Sequence, residues 1–307
     1  FNELIGTVLS FIVTAFICIY LKKERFAAYY INTLVVICLI SIPCFIIANI
    51  SESLALSLCQ NGYDWQTRFG YSFFYTWGWN GTIFTRNSGP FWEAGAFQGF
   101  ILLALLMLLY DVDKGMIKGQ RRKWFFLLFV ITIMTTGSTT GYILLVAVLF
   151  TQWKQVKALF SELPSRMKYI SVVLIVFTVV VFIVQSGNIS EKFYGQDTES
   201  TAIRYSDIVN GIKMWTKNPV LGLGLTSQMQ SVKAMFGVNL DDSVGLSSMT
   251  YTYGIPFLLY YLFRMVKGIK KLFKGNSLQT AILFVILIVL HMTEGIWSVS
   301  YTHLTLP

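Results

Sequence analysis

WFFLLFVITIMTTGSTTGYILLVAVLFTQW, residues Trp124–Trp153, holds two apolar runs separated by Thr135-Thr136-Gly137-Ser138-Thr139-Thr140-Gly141. A bilayer core roughly 30 Å thick takes about 20 apolar residues as a helix. The stretch is therefore either one long span with a polar middle or a hairpin of two short helices with the Ser/Thr/Gly turn at its apex. Basic residues decide. With the apex outward, the loops 22–27, 111–123, 154–168 and 264–275 become cytoplasmic and hold 17 of the 24 Lys and Arg in 46 residues. The outer loops, 51–92 and 187–249, then hold 7 in 105 residues. This is the bias that orients membrane proteins, and a single span would invert everything downstream. The hairpin gives eight membrane segments, the others being Leu4–Leu21, Ala28–Ile50, Ala94–Tyr110, Tyr169–Ser186, Thr250–Phe263 and Asn276–Trp297.

Composition agrees. Hydrophobic residues make up 55% of the chain and charged residues 13%, outside the range of soluble globular domains. The expected fold is all-α: a polytopic integral membrane protein, with one membrane domain over residues 1–297 and two large extracytoplasmic loops. A net charge of +9 suggests nucleic acid only until its place in short loops between spans is noted. Cys18, Cys38, Cys44 and Cys59 form no CxxC pair, and there is no His/Cys cluster at metal-ligand spacing around His291 or His303. Zinc chemistry is excluded on that pattern, and no metal or cofactor is expected. The opening at Phe1 reads as a fragment, with an odd number of spans missing upstream if the native N-terminus is cytoplasmic. SVSYTHLTLP, residues 298–307, breaks from an apolar helix and reads as a non-native tail.

Two polar islands stand out. IRYSDIVNGIKMWTKNPVLGLGLTS, Ile203–Ser227, begins as an amphipathic helix, with Tyr205, Ile208, Ile212 and Trp215 on one face and Asp207, Asn210 and Lys217 away from it. Asn218-Pro219 stops that helix. Gly222-Leu223-Gly224 then makes a turn whose backbone can approach a ligand or take positive φ. An interfacial helix lying flat on a membrane is the alternative, and a lone GxG is weak as a phosphate motif. The second island, Arg86-Asn87-Ser88-Gly89-Pro90-Phe91-Trp92-Glu93-Ala94-Gly95, lies at the outer mouth of a span, after a loop dense in aromatic rings from Tyr63 to Trp92. Those rings suit a headgroup belt or stacking on sugars. Glu93 suits a functional carboxylate or a simple partner for a helix dipole.

The pattern Arg204-x-x-Asp207, Gly211, Met214-Trp215-x-x-Asn218-Pro219-x-x-Gly222-x-Gly224 resembles the periplasmic-loop signature of bacterial O-antigen polymerases and ligases. The likeness extends loosely over most of the chain, and Arg86 to Glu93 resembles the Arg…Gly-x-Phe-x-Glu motif of polysaccharide polymerases. The resemblance implies a metal-independent, polyprenyl-diphosphate-dependent glycosyltransferase of the GT-C type in the bacterial cytoplasmic membrane. Its substrates would be undecaprenyl-diphosphate-linked oligosaccharides for O-antigen, capsule or exopolysaccharide, with a chain-length regulator as a further partner. Arg86 and Arg204 would bind the diphosphate and Glu93 would serve the acceptor, with Asp207 or Asp241 as substitutes. Tyr205, Asp207, Trp215, Asn218, Gly222, Gly224, Ser138 and Asp241 would contact substrate. Two departures matter. The apex turn commonly reads Ser-Arg in the family, whereas Thr139 follows Ser138 here. Ligases carry a histidine where this chain reads NLDDSVGLSSMTYTYGIPF, which favours polymerase over ligase. A flippase or transporter is the reading from another class, disfavoured because the ionisable residues fall almost entirely in loops.

Overall fold

The computed structural model describes residues 9, 12, 16, 19–20, 25–51, 62–65, 68–71, 76–77, 86–91, 93–110, 115–160, 177, 199–224, 244–273 and 277–293. Two of the expected spans, Leu4–Leu21 and Tyr169–Ser186, lie outside the described residues but for isolated positions. The chain divides into two compact units, residues 24–186 and residues 1–23 with 187–307.

The first unit is built on α1 (Phe26–Ile50), α2 (Ala94–Tyr110), α3 (Gly119–Thr135), α4 (Thr139–Thr151) and α5 (Trp153–Phe160). At ~1.5 Å per residue α1 is about 37 Å long, and it is the one described helix that is by itself long and apolar enough to cross a bilayer. Ala94–Tyr110 and Ser277–Met292 are apolar but shorter. Between α1 and α2 runs an antiparallel meander of β1 (Gly62–Trp65), β2 (Arg68–Tyr71), β3 (Thr76–Trp77) and β4 (Arg86–Asn87), paired in that order. Hydropathy left this segment as loop, because its strands are two to four residues long.

The Trp124–Trp153 stretch is two helices, as its Ser/Thr/Gly break requires. Gly137 takes φ +59° between them, and Ser138 caps α4 by accepting the Gly141 N–H at 3.4 Å. The pair runs as a hairpin. Arg121 at the start of α3 donates to Asn32 on α1, Arg122 donates to Leu108 O and Leu109 O at the end of α2, and Phe126 meets Phe160 of α5 edge-on at 5.3 Å. The loop expected from Lys154 begins instead as helix α5, bent 75° from α4. Its period explains this: Val156, Leu159 and Phe160 are buried while Lys154 and Lys157 are exposed.

The second unit holds α6 (Glu199–Trp215), α7 (Gly245–Phe273) and α8 (Ser277–Thr293). The span expected at Thr250–Phe263 is part of α7, which breaks at Gly254 (φ 80°, ψ 173°) two residues before Pro256. Beyond the break Leu259, Tyr260 and Phe263 are exposed, a face suited to lipid, and Lys267 lies over the Phe263 ring at 4.5 Å. His291 on α8 has partners that spacing did not suggest. Its Nδ1 lies 2.7 Å from Leu287 O, which can only accept, so Nδ1 carries the proton and Nε2 accepts from Tyr261 O–H at 2.8 Å.

A Cβ built on Gly254 would overlap Val220 O. Gly254→Ala is therefore expected to lower the melting temperature, through a strained φ costing about 1–3 kcal/mol as well as the clash. Gly268 has nothing within 4 Å of a Cβ. Gly268→Ala should melt at or above wild type, since Ala is favoured over Gly in a helix by about 1 kcal/mol. Equal melting of the two variants would contradict the described break.

Candidate active site

In the first unit, the hairpin apex gathers the polar residues. Three threonines bond backward to carbonyls near the end of α3: Thr132 to Leu128 O, Thr135 to Thr132 O and Thr136 to Ile133 O, at 2.7–2.8 Å. Arg86 Nε–H donates to Thr136 O at 3.0 Å and the Arg86 chain packs on Gly137, so a cation sits at the negative end of α3. That bond uses only one edge of the guanidinium. The two outer nitrogens have no hydrogen bond among the described residues. Backbone pairing of β4 with β3 sets the approach, with Arg86 opposite Trp77.

Next to Arg86, fully buried Asn87 ties three elements together. Its Nδ2 donates to Ser41 Oγ of α1 at 3.2 Å and to Thr135 Oγ1 at 2.9 Å, while its Oδ1 accepts from Gly89 N at 3.1 Å. Ser41 lies nine residues before the end of α1, so the apex sits about 13 Å below the end of that helix. Asn87, Thr135 and Thr136 lie in stretches that the sequence singles out, but their pairing with one another was not foreseen, and Ser41 and Thr132 were not singled out at all. The signal was there in Asn87-Ser88-Gly89-Pro90, which is turn chemistry with an Asx side chain.

Glu93 immediately precedes α2, its carbonyl accepting the Phe97 N–H at 3.2 Å, and it is exposed. The turn leading to it is fixed. Gly89 takes φ +52° against the Phe97 ring, and Phe91 stacks on Phe97 and Phe100 with centroids 5.5 and 4.5 Å apart. This position suits a carboxylate beside a helix N-terminus and a carboxylate facing an acceptor equally. Ser138 is occupied as the α4 cap.

In the second unit α6 buries its small-residue face and leaves the apolar stripe outward. Asp207, Gly211 and Met214 are buried, whereas Tyr205 and Ile212 are 70% and 53% exposed. The reason is close helix packing. Ser247 Oγ donates to Asp207 O at 3.2 Å and fills the place of a side chain at Gly211, so only the small stripe can face α7. The apolar stripe is left outward, as an interfacial helix would have it. Arg204 is half-exposed near the start of α6.

The glycine turn after α6 meets backbone. Pro256 has no N–H for Thr252 O, and the Gly254 break takes the Ile255 N–H away from Tyr251 O. Leu223 N–H donates to Tyr251 O at 2.7 Å, Gly224 N–H to Thr252 O at 3.0 Å, and Ile255 N–H to Pro219 O at 3.0 Å. Gly222 and Gly224 have φ +71° and +88°, and a Cβ on Gly222 would overlap Thr252 O. Asn218 closes the turn through its carbonyl, which accepts the Gly222 N–H, and Trp215 Nε1–H donates to Pro219 O at 3.1 Å. Trp215 and Leu223 pack on the Met214–Tyr251 core. The turn's close backbone approach thus serves α7. Asp241 lies outside the described residues.

Residues 124–245 match the family model for O-antigen ligase, Wzy_C. The segment is similar to O-antigen ligases. The match supports the O-antigen polymerase/ligase superfamily and a polysaccharide-building, glycosyltransferase-like activity on lipid-linked glycans in a membrane. It covers the hairpin, α6 and the glycine turn, and so includes Ser138, Arg204, Tyr205, Asp207, Trp215, Asn218, Gly222, Gly224 and Asp241; Arg86 and Glu93 precede it. No curated protein and no solved structure matches the chain.

Asn87→Ala removes the donor to Ser41 and Thr135 and strands buried groups at about 1–3 kcal/mol each. The variant should melt well below Ser41→Ala, which deletes a single acceptor. Wild-type melting of Asn87→Ala would mean the apex is held by other contacts.

Proposed function

We propose that this protein polymerises undecaprenyl-diphosphate-linked repeat units into O-antigen, capsular or exopolysaccharide at the outer face of the bacterial cytoplasmic membrane. The observation that carries the reading is the O-antigen ligase match across a hairpin whose apex holds Arg86. In the reaction, an acceptor hydroxyl oxygen attacks the anomeric carbon of the donor glycan. The bond to the carrier diphosphate breaks, and the diphosphate leaves with the electron pair. Diphosphate is already a competent leaving group, so the protein's part is mainly charge stabilisation. Arg86 and Arg204 supply it, since a guanidinium offers parallel donors to phosphate oxygens and stays charged. Glu93 takes the hydroxyl proton, with Asp207 or Asp241 as alternative bases. Tyr205, exposed on α6, is assigned to stack on sugars together with the rings of the outer loop, and a chain-length regulator is a further partner.

A ligase joining finished glycan to another acceptor is the second reading, favoured by the description of the matched family. Against it, residues 239–257 contain no histidine, and His291 is engaged by Tyr261. A transporter is disfavoured because the break in α7 is filled by the chain's own N–H groups.

A deletion strain complemented with the full-length gene separates the readings. Single repeat units accumulating on the carrier at the outer face indicate a polymerase. Polymer stranded on the carrier indicates a ligase, and single units retained on the cytoplasmic face indicate a flippase.

Residue roles are tested by turnover of carrier-linked repeat units in vitro. Arg204→Lys and Arg86→Lys keep charge and lose the fork, and each should cost on the order of 10²-fold at unchanged abundance. Glu93→Gln should cost about 10²–10⁴-fold if the carboxylate is the base, far more than the loss of a dipole partner worth about 0.3–1 kcal/mol. Glu93→Asp should keep partial activity. Wild-type turnover by Glu93→Gln would shift the base to Asp207 or Asp241, and loss of wild-type turnover with chelator would defeat the metal-independent mechanism.

A further inference from the structure

Gln98, on the second turn of α2, is fully buried, and neither its Oε1 nor its Nε2 has a hydrogen-bond partner among the described residues. A buried amide in this condition destabilises the fold unless something else satisfies it. Its place is informative. The Oε1 fills the space a side chain would take at Gly141, so the amide lies directly against the first turn of α4.

That turn is the N-terminus of a 13-residue helix. Its leading N–H groups have no acceptor within the helix and carry the positive end of the helix dipole. Ser138 takes two of the nearby N–H groups, those of Gly141 through Oγ and Tyr142 through its carbonyl. The N–H groups of Thr139 and Thr140 are left without an acceptor among the described residues. From the other side Arg86 packs on Gly137, its Cγ and Nε 3.4 and 3.5 Å from where a Cβ would stand. A cation against Gly137, the backbone donors of Thr139 and Thr140, and an unsatisfied amide against Gly141 therefore fall within five consecutive residues of the apex. No carboxylate bonds to any of them among the described residues. Helix N-termini with such donors are ready-made sites for phosphoryl oxygens.

We propose that the first turn of α4, Arg86 and Gln98 form the seat of a phosphoryl group, the diphosphate of the lipid-linked substrate, with Gln98 Nε2–H as a donor to it. The inference rests on reading Arg86 as a diphosphate contact and adds Gln98 and the Thr139–Thr140 backbone. In this structure the seat is closed over Gln98, and an entering phosphoryl oxygen supplies the acceptor that Nε2 lacks. The seat also accounts for the small residue at 141, since any side chain there would displace the amide.

The test uses the full-length protein in phosphatidylcholine nanodiscs, titrated with inorganic diphosphate and melted in parallel. Gln98→Leu should melt no lower than wild type, because it removes an unsatisfied amide, and should bind diphosphate on the order of tenfold more weakly, the size of one hydrogen bond to a charged group. Gln98→Glu should bind more weakly still, by repulsion. Gln152→Leu, which removes a buried amide at the other end of α4, should bind like wild type. Unchanged affinity in Gln98→Leu, or melting several degrees below wild type, overturns the assignment and makes the amide structural. If Arg86→Lys weakens binding while Gln98→Leu does not, only this inference falls. If wild type itself does not bind, the diphosphate reading of Arg86 falls with it. Loss of diphosphate binding in phosphatidylglycerol nanodiscs would give the seat to a phospholipid headgroup and also overturn the proposal.

Discussion

A helix that breaks inside a membrane strands backbone carbonyls where no water can reach them, and each unsatisfied group there costs several kcal/mol. Both described units contain a break in helix whose carbonyls take donors from elsewhere in the chain. At the end of α3 the stranded groups are met by threonine hydroxyls and by Arg86, whose Nε–H takes Thr136 O. At Gly254 in α7 they are met by the N–H groups of Leu223 and Gly224. Arg86 and the Leu223–Gly224 turn each arrive on a polar segment from outside the helix they meet, which is why the chain's two polar islands fall where they do.

The same constraint brings chemistry to the breaks. A donor recruited to cap a helix end is already fixed in place, and Arg86 keeps the outer edge of its guanidinium free of that capping bond. Asn87 holds Arg86 at a fixed height by bonding to Ser41 and Thr135. The apex thereby sits level with Ser41, about 13 Å before the end of α1. In the second unit the capping turn is made wholly of backbone, so Gly222 and Gly224 are accounted for by the fit to α7 alone. Arg204, on the helix that leads into this turn, is positioned by the packing of Gly211 against Ser247.

Much of the frame was legible in the sequence, because hydrophobic runs and helix breakers act locally. Ala94–Tyr110 is a helix over the expected range, and Thr135–Gly141 does separate two helices. What was not legible depends on partners distant in sequence. Periodicity grouped the apolar residues of α6 on one face without saying what that face meets, and it is Gly211 admitting Ser247 that turns Asp207 toward α7 and leaves the stripe outward. Gln98 drew no attention in the sequence, and only the facing Gly141 shows that its amide lies against the first turn of α4. The pairing of His291 with Tyr261 spans 30 residues and two helices, so no local spacing could announce it. The meander between α1 and α2 was hidden by strands too short to show alternation.

The central claim is that the hairpin opens outward and presents the Arg86 apex to that side. Single cysteines placed by Glu93→Cys, beside the apex, and by Lys157→Cys, on α5 at the opposite end, can be challenged in intact cells with an impermeant thiol reagent, in a background lacking Cys18, Cys38, Cys44 and Cys59. The account predicts labelling of Glu93→Cys from outside and of Lys157→Cys only after the cells are opened. Labelling of Lys157→Cys in intact cells would contradict it.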